Sequence, residues 1–183
     1  MPLHRLSALL LVLCAAACQS ATDVVLPLSR SIVGASRIEA VEIQVRPTAA
    51  PAVGALDERA RTGGGEGAAA LPFAQMLDAA VRDAATRAGL AGARPLKLLL
   101  EIDEVAVPGT GAALFGAQDR LAGTVFVRDA VSGAALGQLY VDVRAGQAGL
   151  VGLALRGSGV RERLAVAFAE RIVKALSGRK KLR

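Results

Sequence analysis

Four times along this chain, apolar side chains occupy every second position. Val41, Ile43 and Val45 alternate with Glu42, Gln44 and Arg46, and Leu98, Leu100 and Ile102 with Lys97, Leu99, Glu101 and Asp103. Val125 and Val127 oppose Thr124, Phe126 and Arg128, and Leu139, Val141 and Val143 alternate with Gln138, Tyr140, Asp142 and Arg144. Successive side chains of an extended chain point to opposite sides, so each stretch predicts a strand with one apolar face. A sheet built from them needs a cover, and two stretches can supply it. After Pro72, which suits a first helical turn, Phe73, Leu77, Ala80, Val81, Ala84 and Ala88 fall at helical spacing and Gly89 can stop the helix. From about Gly159 to Ser177, Leu164, Phe168, Ile172 and Leu176 recur every four residues, with Ser158 a candidate N-cap, Glu170 and Lys174 a candidate i,i+4 pair and Gly178 a stop.

The order β-α-β-β-β-α predicts an α+β fold: a two-layer sandwich in which two helices cover one face of a four-stranded mixed sheet. A helix between the first two strands predicts a parallel pair joined right-handedly. The turn-forming run from Asp129 to Gly133 predicts a hairpin between the last two. Residues 37–178 read as one domain. The Ala-, Gly- and Pro-rich stretch 48–70, with Gly63, Gly64 and Gly65 inside it, reads as a flexible loop. Residues 18–36 read as a tether.

The first 17 residues are of a different kind. A short charged start with Arg5 leads into an apolar run from Leu6 to Ala17, about 12 residues long, where a bilayer span needs roughly 20. It reads as an export signal that is cut off. Ala15, Ala16, Ala17 and Cys18 resemble the lipobox of bacterial lipoprotein signals, with Ala15 where leucine is commoner. The resemblance implies lipid attachment at Cys18, while the Ala-x-Ala triplet also suits the ordinary secretory peptidase and a soluble periplasmic product. Gln19 after the cysteine, where aspartate would imply retention in the inner membrane, implies by the same resemblance an outer-membrane anchor facing the periplasm. Acyl chains bind by burying methylenes, about 0.8 kcal/mol each, and two or more chains hold stably.

Without the leader about 166 residues remain, enough for one real core. The sole histidine, His4, and Cys14 leave with the leader, and Cys18 would be acylated. That excludes a Ser-His-Asp triad, a Cys-His nucleophile, a haem ligand and an ordinary zinc site. We therefore expect no enzyme, no cofactor and no metal. The formal charge of +6 is weighted to the tail residues Arg179, Lys180, Lys181 and Arg183. Such a tail is either a solvated terminus or a contact for anionic lipid headgroups. Export, the absence of Trp and the lack of an aromatic-basic stacking surface argue against nucleic acid.

Several candidate sites dissolve on spacing. Gly109, Gly111 and Gly116 do not follow the dinucleotide-binding pattern and precede a strand, so they read as a hairpin loop. Glu101 and Asp103 share a strand face, where pairing with Arg128 and Arg144 is the common outcome. A carboxylate-dependent hydrolase using Glu101 or Asp103 is a minor alternative, as is a periplasmic carrier of a small apolar ligand. Two partner-binding patches remain. Leu99, Phe126 and Tyr140 fall on the sheet face that the helices leave free. Leu150, Val151, Leu153 and Leu155, between Gly146 and Gly157, are too apolar for an ordinary exposed loop. They either fill core beneath the last helix or form a contact patch, which Ala113, Leu114 and Phe115 join if both loops lie at one end of the sheet.

The stretch from Leu96 to Leu176 resembles the carboxy-terminal half of small, uncharacterised proteobacterial envelope lipoproteins. It carries their strand ending in Val-Arg-Asp-Ala-x-Ser-Gly, here Val127 to Gly133, then a return strand, a Gly-rich loop and a terminal helix. The resemblance implies a lipid-anchored, non-enzymatic binding or accessory component of an envelope assembly or transport system. The expected partners are the membrane and another envelope protein.

Overall fold

The computed structural model describes residues 21–26, 28, 32, 34–62, 71–109, 112, 117–145 and 159–178. The elements are β1 (Ala21–Leu26), β2 (Ser36–Val45), α1 (Ala50–Thr62), α2 (Phe73–Arg87), β3 (Arg94–Ala106), β4 (Asp119–Asp129), β5 (Ala135–Ala145) and α3 (Val160–Ser177). The fold is the expected α+β sandwich. The four strands read from the alternating pattern form a mixed sheet. β2 and β3 are parallel, and β3, β4 and β5 follow as antiparallel neighbours. A fifth strand, β1, adds antiparallel to the outer edge of β5, so the full order is β1-β5-β4-β3-β2.

Two parts of the expected layout are corrected. Residues 18–36 are not a plain tether, because Ala21 to Leu26 are paired with β5. The flexible loop expected over 48–70 contains instead the helix α1. Pro51 stands in its first turn, where a missing N–H does no harm, and Val53 and Leu56, three residues apart, turn into the core.

One face of the sheet is aliphatic throughout. Leu96, Leu98, Leu100, Ile102, Leu121, Val125, Val127, Leu139, Val141 and Val143 are all buried. They form a single core with Phe73, Leu77 and Val81 of α2 and Leu164, Phe168, Ile172 and Leu176 of α3. Burying each large side chain contributes about 1.5–3 kcal/mol. Gly123 lies in the middle of this sheet, opposite Ile102, and a Cβ there would stand 2.5 Å from the Glu101 carbonyl oxygen, so the close strand approach requires glycine.

The helix ends follow the sequence with small shifts. Gly89 and Gly178 both take positive φ just past α2 and α3. Gly159, not a side chain, occupies the N-cap position of α3, while Ser158 lies outside the described residues. Glu170 faces Arg87 of α2 at 3.7 Å rather than pairing with Lys174.

One buried cation ties the three helices together. Arg161 of α3, its side chain 5% exposed, donates to Asp57 Oδ1 of α1 at 3.0 Å and to the Leu71 carbonyl at 2.8 Å. The same Asp57 oxygen accepts the Phe73 backbone N–H at 2.9 Å, which serves the first turn of α2, where Pro72 has no capping side chain. Among the described residues, no helix is long and apolar enough to cross a membrane.

Candidate functional site

The buried side chains of all three helices belong to the core, which leaves the opposite sheet face as the candidate site. Register places its residues in rows. Glu42, Leu99, Phe126 and Gln138 are successive partners from β2 to β5, and Gln44, Glu101, Thr124 and Tyr140 form the next row. Tyr140 is therefore diagonal to Phe126, within reach of an aromatic ring. Leu99, Phe126 and Tyr140, expected together from the sequence, do share this face and are each half-buried. Leu150, Val151, Leu153 and Leu155, and the lipid-attachment candidate Cys18, lie outside the described residues.

Ion pairs frame the apolar centre. The expected partners of the carboxylates, Arg128 and Arg144, are not the ones used. Arg46, one residue past β2, meets Glu101 at 2.6 Å and Asp103 at 2.9 Å. A bulge between Ile102 and Glu104 leaves Asp103 outside the ladder and brings it beside Glu101 toward one guanidinium. Thr124 Oγ1 donates to Asp103 Oδ2 at 3.3 Å. Arg120 grips Asp142 with two bonds, 3.0 and 2.9 Å, and reaches Glu104 at 2.6 Å. Arg128 and Arg144 are exposed and form no ion pair among the described residues. On the far side Lys97 meets Glu42 at 3.0 Å.

The electrostatics follow from these pairs. The hydrogen bond from Lys97, helped by Gln44, holds the Glu42 carboxyl below its ordinary range. The Asp142 bond, with the charges of Asp142 and Glu104, holds Arg120 more firmly protonated than usual. The Glu101 bond and the Asp103 charge do the same for Arg46. Burial raises the Tyr140 hydroxyl above its ordinary value, opposed by Arg120. Glu101 and Asp103, the carboxylates on which a hydrolase would rest, both meet the single guanidinium of Arg46.

Sequence reasoning missed Arg46 and Arg120 as the belt's cations. Both were within its reach, because Arg46 continues the parity of Glu42 and Gln44, and Arg120 continues that of Phe126 and Thr124. Gly109 is exposed in the connection between the antiparallel strands β3 and β4, as a hairpin loop requires, while Gly111 and Gly116 lie outside the described residues.

Comparison of the sequence with protein-family models and with curated proteins gives no match. Among solved structures the chain is similar to several bacterial proteins. One is the PelC dodecamer from Paraburkholderia phytofirmans, 11% identical, with a TM-score of 0.47 over 88% of this chain and 99% of that one. A second is protein XCC0632 from Xanthomonas campestris, 14% identical, with a TM-score of 0.47 over 85% and 94%. A third is a candidate lipoprotein from Caulobacter crescentus, 17% identical, with a TM-score of 0.39 over 75% and 88%. Identities this low transfer no function.

Proposed function

We propose that this chain is a lipid-anchored lipoprotein of the cell envelope, not an enzyme. Its domain binds another envelope protein as an accessory component of an assembly or transport system. The observation that carries the reading is Cys18, set behind three alanines at the end of a leader too short to span a bilayer. The body that follows has neither histidine nor a further cysteine. Its open sheet face adds support: Leu99, Phe126 and Tyr140 form an apolar centre inside a frame of ion pairs, the pattern of a protein-binding patch with a polar rim. Gln19 favours the outer membrane.

Growth with a labelled fatty acid tests the anchor. Wild type should carry label and sediment with the outer membrane, and Cys18→Ala should lose both. Unlabelled wild-type protein in the soluble periplasmic fraction would overturn the reading. A photo-crosslinker at Phe126 should capture one defined envelope protein, and capture should fail with the crosslinker at the core position Leu98.

A further inference from the structure

Ala21, where β1 begins, is three residues beyond Cys18. Three residues of extended chain span at most about 11 Å. An anchored Cys18 therefore brings one particular part of the domain to the bilayer, and the register identifies it. Ala21 lies beside Asp142 near the end of β5, and Ala145, the last residue of β5, lies beside Asp119, the first of β4. Arg120 lies beside Ala106, the last of β3, and Ile102 beside Val45, the last of β2. All five strands thus begin or finish at one common end.

The connections 107–118 and 146–158 both leave from that end. Exposed Arg144 stands there too. The opposite end holds the turn between β4 and β5 and the start of β2. It also holds the end of α3, where the Leu176 carbonyl accepts the Gly34 N–H at 3.1 Å. Eleven-residue strands such as β4 and β5 separate the two ends by about 36 Å.

We infer that the end where β1 starts is seated on the lipid surface that holds the Cys18 acyl chains, with the strands standing upright on it. This rests on the lipoprotein reading above. The short tether supplies the proximity. Arg144 supplies a cation at headgroup level.

The experiment uses the acylated protein in vesicles of phosphatidylethanolamine and phosphatidylglycerol that carry a headgroup-attached nitroxide lipid. With the leader removed and Cys18 acylated, an added cysteine is the sole free thiol. Ala112→Cys and Val131→Cys place a fluorophore at exposed positions near the seated end and in the far turn. Quenching should be several-fold stronger at 112 than at 131. Equal or reversed quenching, in protein whose Cys18 carries the fatty-acid label, overturns the orientation alone. Absence of that label overturns the lipoprotein reading and the orientation with it.

Discussion

The two faces of the sheet are made by alternate residues of the same strands, yet they are built on different principles. On the helix side, Leu98, Leu100, Val125, Val127 and Val141 are wholly buried aliphatics. On the other side, their neighbours Leu99, Phe126 and Tyr140 are half-buried and ringed by Arg46, Arg120, Glu101 and Asp142. An aliphatic face stabilises through volume and area, and tolerates any rearrangement that conserves them. Directional ion pairs depend on which residue stands opposite which. The difference teaches that faces one residue apart are held by different forces, so substitutions at adjacent positions should have unlike consequences.

The largest contrast is between two leucines. Leu98→Ala opens a cavity in the core and should cost about 2–5 kcal/mol. Leu99→Ala should cost less than about 1 kcal/mol, since its side chain is half-exposed already. Urea unfolding of both variants measures the difference, and equal losses would mean that the open face is covered. A smaller contrast separates two arginines of β4 and β5. Arg120→Ala breaks three bonds at a partly exposed site and should cost about 1 kcal/mol, less in high salt. Arg144→Ala should leave the urea midpoint unchanged in any salt, because Arg144 holds no ion pair among the described residues.

The smallest effect is present at neutral pH and is lost in acid. The backbone N–H groups of Ser132 and Val131, with the Arg94 guanidinium, bring the Asp129 carboxyl down to about 2. A depressed carboxyl stabilises the fold above its unfolded value, about 3.9, and the gain is lost as pH falls toward 2. Wild type should therefore exceed Asp129→Asn in stability at pH 7, and the gap should close between about pH 4 and pH 2. A carboxyl resonance for Asp129 that titrates at 4 would break this assignment.

The strands were legible because each buries one face, and burial writes period two into the sequence. Helix α2 and helix α3 were legible for the matching reason at period 3.6. Helix α1 was hidden because it turns only Val53 and Leu56 inward as fully buried residues and is otherwise written in alanine, glycine and charge. Strand β1 was hidden because its partner is remote: nothing in Val24, Val25 and Leu26 names Leu139 or Gln138. The open face was found as a set of residues, but its ion pairs were assigned to the wrong arginines. Register decided that outcome: Glu101 stands opposite Thr124, while Arg128 stands opposite Lys97 and Arg144 opposite Arg120, and alternation alone does not announce register.

The pairing of Ala21 with Asp142, 121 positions later, sets an order of events. A chain that crosses a membrane amino terminus first presents Cys18 and β1 long before β5 has emerged. Strands β4 and β5 close across one short turn, whereas β1 waits for nearly the whole body to arrive. On the exported reading, the enzymes that cut and acylate the thiol meet it on a loose, extended strand. On that reading the last strand to dock is the one next to the anchor in sequence.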